Sequence, residues 1–134
     1  MEKPFRVIVA GCRNMDNFVF LAAELDFMFQ DMELKDLEIV SGQQQSVRTT
    51  EAGRVEKYGA DYLGEVYANS RGIKINRFPA DWHTHGKKAG PIRNREMAEY
   101  ATHLIAFPSK DSKGTRNMIS HARKRGLRIS VREI

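Results

Sequence analysis

Apolar positions along the chain fall into short blocks, and their spacing switches between the period of a strand and that of a helix. Phe5-Arg-Val-Ile-Val-Ala10 is nearly continuous, as in a strand buried on both faces, and Gly11-Cys-Arg-Asn-Met-Asp16 ends it. From 17 to 31, Leu21, Leu25, Met28 and Phe29 recur at helical spacing. Leu37-Glu-Ile-Val-Ser41 predicts a second strand that stops at Gly42. A helix over 61–70 follows, with Leu63, Val66 and Tyr67 on one face and Gly72 as its stop, then a strand over 73–78. A helix over 90–101 carries Pro91 in its first turn, where a missing N–H costs nothing. Strand 103–107, helix 115–125 closed by Gly126, and strand 127–132 complete the order.

Strands that alternate with helices predict an α/β fold: a doubly wound, mostly parallel five-stranded sheet with helices on both faces, built by right-handed crossovers. The 134 residues are expected to form one domain, 1–134. Such sheets bind ligands at the carboxyl ends of their strands. The unusual clusters fall there: Gly11-Cys-Arg13 after the first strand, Ser41-Gly42 after the second, 79–94 after the third, and 109–115 after the fourth. One segment, 43–58, is polar and irregular-looking, with Gln43-Gln44-Gln45 and Thr49-Thr50, and reads as an inserted loop or flap.

Composition narrows the class. With 41% apolar and 29% charged residues the chain is globular in type, and its apolar runs are far shorter than the roughly 20 residues of a membrane span. Met1-Glu-Lys-Pro4 leads straight into the first strand without a signal-peptide pattern, so a cytoplasmic protein without membrane partners is expected. The single cysteine, Cys12, forbids an internal disulfide and reads as a packing residue at a strand end. The net charge of +5 is uneven. Acids dominate from Asp16 to Glu38, where Lys35 is the one base. From Lys113 onward, Arg116, Arg123, Lys124, Arg125, Arg128 and Arg132 join Lys113 against Glu133 alone. A basic side suits an anionic partner, nucleic acid among them, although spread Arg and Lys also make an ordinary solvated face.

Candidate chemistry concentrates in FPADWHTHGKKAGPIRNREM, residues 78–97. Gly114-Thr115 opening a helix leaves backbone N–H groups free at the positive end of its dipole, a place for phosphate. Gly90-Pro91-Ile92-Arg93-Asn94 offers a similar helix start, and the planar fork of Arg93 can hold a phosphate or carboxylate through two bonds. Arg93 is read here as a wet-pocket residue whose loss lowers affinity and spares the fold. Asp81-Trp82 could read a sugar and stack on a base. Each of these residues also has a plainer reading as a turn, cap or packing residue. His83-Thr84-His85 lacks a third ligand at recognisable spacing, so no metal and no cofactor are expected, and His103 and His121 read as surface or helix residues.

The phrases VIVAGCRN, SG, YGADYLGE, FPADW, GKKAGPIRNREM and AFPSKDSKGTRNMISHARKRGL, in that order, resemble the YspA-related branch of the SLOG superfamily over nearly the whole chain. The resemblance implies a Rossmann-like SLOG fold, a nucleotide-derived ligand and a homodimer. It adds Gly59 and Asp61, of the Gly-Ala-Asp phrase, to a ligand-binding set of Gly11, Arg13, Gly42, Asp81, Trp82, Gly90, Arg93, Asn94, Gly114 and Thr115. Cytokinin-activating phosphoribohydrolases of the wider superfamily carry an Arg-Lys then Met, and a Pro-Gly-Gly-x-Gly-Thr-x-x-Glu loop. Here Arg93-Asn94 and Met97 resemble the first motif. Pro108 and Gly114-Thr115 resemble the second, but the loop is longer and Met118 stands where those enzymes have their catalytic Glu. A catalytic set would then be Arg93 with Glu96 or Asp81 supplying the carboxylate. The expected function is binding of a nucleotide or nucleotide derivative as a sensor or sequestering protein. The alternatives are a phosphoribosyl or N-glycosidic hydrolase and a nucleic-acid-processing accessory protein that uses the basic C-terminal face.

Overall fold

The structure is a computed structural model that describes residues 5–44 and 46–134; the Met1–Pro4 run and Gln45, part of the 43–58 reading, lie outside the described residues. Its elements run β1 (Phe5–Gly11), α1 (Phe18–Met28), β2 (Leu37–Ser41), β3 (Ser46–Thr49), β4 (Val55–Tyr58), α2 (Ala60–Arg71), β5 (Lys74–Arg77), α3 (Trp82–His85), α4 (Ala89–Tyr100), β6 (His103–Phe107), α5 (Lys113–Lys124) and β7 (Arg128–Val131). Five strands form one sheet in the order β5-β2-β1-β6-β7, and every pairing in it is parallel.

Strand β1 sits at the centre because its apolar run serves both faces of the sheet. Val7 and Val9 join a core with Leu21 and Leu25 of α1 and Tyr67 of α2. Ile8 and Ala10 point the other way, into a core with Met97 and Ala98 of α4 and Met118 and Ala122 of α5. The neighbouring β6 divides likewise, Ile105 and Phe107 to the first core and Leu104 and Ala106 to the second. The predicted doubly wound, Rossmann-like architecture is therefore what the chain adopts. After β1 the chain builds outward through β2 and β5 on one side, then returns to lay β6 and β7 on the other. That reversal opens a crevice between the carboxyl ends of β1 and β6.

Two segments differ from expectation. The irregular-looking stretch carries an antiparallel hairpin, β3 with β4, separate from the main sheet. Its strands are four residues long and mostly exposed, and polar partners hold them rather than buried apolar residues: Arg48 pairs across the hairpin with Glu56 at 3.0 Å, lies over the Tyr58 ring, and reaches Asp16 of the loop after β1 at 3.3 Å. No period along the sequence encodes such pairs. The hairpin is pinned to the loop after β1, where Ser46 Oγ donates to the Arg13 carbonyl at 2.9 Å and the Gly59 N–H to that of Met15 at 2.7 Å. The second difference lies in 82–88, which forms α3 and a short 3-10 turn. Asp81 caps α3 by accepting from the Thr84 N–H at 3.1 Å, and Gly86, at φ 56°, ends it.

Candidate functional site

At the carboxyl edge, in the crevice beside β1 and β6, lies a cavity of about 650 Å³. Its wall takes residues 10–14 from the end of β1, Gly42 and Gln44 after β2, Asp61 of α2, Trp82 of α3, part of α4, and, from the loop after β6 into α5, residues 109, 111–115, 117 and 118. Gly11, Arg13, Gly42, Asp61, Trp82, Gly90, Arg93, Asn94, Gly114 and Thr115 from the expected ligand set all line it. Gly59, Asp81 and Glu96 do not line it. A smaller chamber of about 330 Å³ adjoins it and shares Gly42, Gln44, Trp82 and Arg93 with it, so those four residues form a waist between the two spaces.

The glycines at this edge have different reasons to be glycine. A Cβ on Gly11 would stand 2.6 Å from the Ala60 Cβ and 2.9 Å from the Phe107 carbonyl oxygen, so this position is required by packing under the crevice. A Cβ on Gly42 would meet Arg93 Nη1 at 2.7 Å and Asp61 Oδ2 at 2.9 Å. Both charged groups therefore close on the bare α-carbon. Gly114 has open space where its Cβ would be, and packing does not account for it. Gly59, at φ 105°, caps α2, a conformation that side-chain-bearing residues rarely take.

Arg93 departs from its expected character. Only 8% of its surface is exposed, its Nη1 donates to the Gly42 carbonyl, and its Nε donates to Asn94 Oδ1 at 3.0 Å. Neither Glu96 nor Asp81 pairs with it: Glu96 is exposed on α4, and Asp81 is exposed as the α3 cap, where hydrogen bonds from Thr84 hold its carboxyl below the usual carboxylate range. The carboxylate that does face Arg93 is Asp61, across Gly42. Asp61 Oδ2 accepts from the Gln44 N–H at 3.0 Å. Burial pushes its pKa up to about 6 against the lowering effects of that bond and of the Arg93 charge. Burial likewise lowers the pKa of Arg93 more than Asp61 restores it. Each member of the pair loses more hydration than the other returns, which is an expensive arrangement for stability and is common where a charge is kept for a ligand.

Asn94 joins two helices. Its Nδ2 donates to the Gly114 carbonyl at 3.3 Å and to Asn117 Oδ1 at 3.0 Å, so α4 and the start of α5 are held at a set distance. The expected helix starts are not equal. Lys88 is already helical and the Ala89 N–H donates to the Gly86 carbonyl, so the 3-10 turn runs into α4 and leaves Gly90 no open helix end. Helix α5 begins at Lys113 after Ser112, with the Ser109 N–H bonded to Ser112 Oγ at 2.8 Å and the Arg116 N–H to the Ser112 carbonyl at 3.0 Å. Gly114 and Thr115 stand in its first turn on the cavity wall, where helical N–H groups lack partners within the helix. Lys113 and Arg13 add positive charge to the wall, and Asp111 stands among them. With the Gln44 amide oriented to satisfy both groups, its oxygen accepts from Arg13 Nη2 at 2.7 Å and Nε at 3.0 Å.

Cys12 is buried in the core and its N–H donates to the Phe107 carbonyl. Met118, at the position of the hydrolases' Glu, is 1% exposed and part of the α4/α5 core. Among the described residues no group of three or more His, Cys, Asp or Glu is placed to hold a metal ion, and no helix is long and apolar enough to cross a membrane. Sequence reasoning missed Tyr62 and Glu65, which line the smaller chamber; Glu65 follows Asp61 on α2 by four residues, a helical spacing that could have pointed to it, whereas no such signal marks Tyr62.

No family model matches the chain. It is similar to the gene 61 protein of Mycobacterium phage D29, 45% identical over an alignment 77 residues long, with 53% of this chain and 62% of that protein covered. The chain thus spans less than two thirds of that relative. Among solved structures it is similar to DNA processing protein A from Streptococcus pneumoniae, with a TM-score of 0.65 and 16% identity over 96% of this chain and 50% of that one. At that identity the likeness concerns the fold alone, the Rossmann-like α/β fold described above.

Proposed function

We propose that the chain is a YspA-related SLOG domain, formed by 1–134 as one unit, that binds a nucleotide or nucleotide derivative in the crevice and serves as a cytoplasmic sensor or sequestering protein. The observation that carries this reading is the convergence of four strand-end loops on one cavity, with the first turn of α5, Lys113 and Arg13 on its wall and the indole of Trp82 at its waist. Phosphate goes to α5, where Gly114 and Thr115 offer N–H groups beside Lys113. Arg93 and Asp61 meet the sugar region. For the hydrolase alternative, Asp81 and Glu96 do not line the cavity, and Asp61 would take the role of its carboxylate. The homodimer stays an expectation from the resemblance, to be read by light scattering.

A thermal-shift series against mono-, di- and cyclic nucleotides tests the reading. A ligand bound only by the folded state raises stability by about 2.7 kcal/mol at a hundred times its dissociation constant. No shift with any nucleotide sinks it.

A second reading, a nucleic-acid-processing accessory protein, is favoured by the likeness to a DNA processing protein and by the exposed bases Arg116, Arg123, Lys124 and Arg125 along and beyond α5. Its mark is DNA binding that weakens steeply with salt. Absence of such binding at low salt removes it.

A further inference from the structure

Resting on the nucleotide reading, we propose that the smaller chamber is the base pocket and that it selects a flat base bearing an exocyclic amino group. The phosphate then occupies the larger chamber and the sugar crosses the waist at Gly42 and Arg93. Two chambers that share a waist suit a ligand of two chemically different parts, and each volume, about 330 and 650 Å³, is that of a small-ligand site.

The walls of the two spaces differ in kind. The larger carries the first turn of α5 with Arg13 and Lys113. The smaller carries Tyr62 and Trp82, two aromatic faces, with Pro79 and Ala80 between strand β5 and α3, and one carboxylate, Glu65. Aromatic faces take any base by stacking and give no advantage to phosphate. Glu65 supplies the selection. Its Oε2 accepts from Ser41 Oγ at 2.6 Å and its Oε1 meets Arg77 Nε and Nη2, both at 2.9 Å, so its position is set by these contacts while Oε2 retains a lone pair. A fixed acceptor favours bases that present N–H donors on an amino group, as adenine, guanine and cytosine do; uracil has none. Guanine, whose amino group can donate to Oε2, serves as the test base.

The backbone beside the chamber is also unusual. Gln43 has φ 58°, the one positive value outside glycine among the described residues, and its N–H donates to the same Ser41 Oγ that holds Glu65. An amide side chain held in this sparsely populated region at the chamber wall is the kind of local strain that gathers at ligand sites.

Calorimetric titration of the full chain with GMP, UMP and ribose 5-phosphate tests the assignment, with melting temperatures recorded for each variant. GMP should bind about tenfold or more tightly than ribose 5-phosphate, the order expected for stacking one base on aromatic side chains. UMP should fall between them. Tyr62→Leu, which keeps apolar volume, should lose most of the GMP advantage and leave ribose 5-phosphate affinity as it was. Glu65→Gln should narrow the gap between GMP and UMP. If Tyr62→Leu does not fold, Trp82→Ala carries the same comparison, since Trp82 is 53% exposed. Equal affinity for GMP and ribose 5-phosphate, or a Tyr62→Leu loss shared equally by both, overturns the base pocket while leaving phosphate binding intact. Failure of every ligand, ribose 5-phosphate included, instead defeats the nucleotide reading on which it rests.

Discussion

Residues 78–88 and 89–97 are contiguous in sequence and both rich in polar residues, yet they have opposite physical characters. The first part, from Asp81 to Lys88, is exposed throughout, held by a single capped turn. The second part drives Arg93 and Asn94 into the molecule, where their polar atoms are bonded to Gly42, to each other, and to the start of α5. The difference lies in what backs each half: α4 packs Met97 and Ala98 on the sheet, whereas no residue of α3 is buried. Equal polarity in a sequence therefore hides two roles, and a buried polar residue at a cavity wall holds up the fold and faces the ligand at once.

The sharpest way to break this contrast is Arg93→Ala. It removes a charged hydrogen bond to Gly42 and leaves Asp61 without its countercharge, so unfolding free energy should drop by about 3 kcal/mol, read by urea denaturation. Arg93→Lys should recover part of it, because one ammonium cannot serve both Gly42 and Asn94. A variant as stable as the parent would return Arg93 to the class of a free pocket cation.

Asp61→Asn gives a smaller effect with a pH signature. Because the folded-state pKa is raised from 3.8 to about 6, the native state binds a proton more readily than the unfolded chain over that interval. Stability due to this group is greatest below the lower value and falls as pH rises to the upper one, with the full cost present above it. The parent should therefore lose about 1 to 3 kcal/mol relative to Asp61→Asn between pH 4 and pH 7. Parallel pH profiles of parent and variant would remove this account.

Trp82→Ala, in the exposed half, should change stability least, within about 0.5 kcal/mol, while weakening nucleotide binding. A large fall in melting temperature would erase the contrast between the two halves.

Much of the architecture was legible because a parallel sheet imposes long-range order through local patterns. The apolar run of β1 marked a strand covered on both sides, and glycines 42, 72 and 126 marked where elements stop. The hairpin was not legible, since Arg48, Glu56, Asp16 and Tyr58 meet only across folded chain. Nor could spacing show that α4 begins inside a helical turn, because Lys88 joins it without a capping residue.

By itself the sequence determined the order of the main-sheet strands and of the helices that connect them, and with it the edge of the sheet at which Gly11, Gly42, Arg93 and Gly114 gather, because hydrophobic period and crossover handedness leave little freedom. Tertiary structure alone decided which polar groups at that edge are free. Asp61 rather than Asp81 or Glu96 faces Arg93 because a bare α-carbon at Gly42 lets α2 and α4 bring their charges to one point. Hydration lost there is a property of the assembled surfaces, and no single segment of the chain carries it.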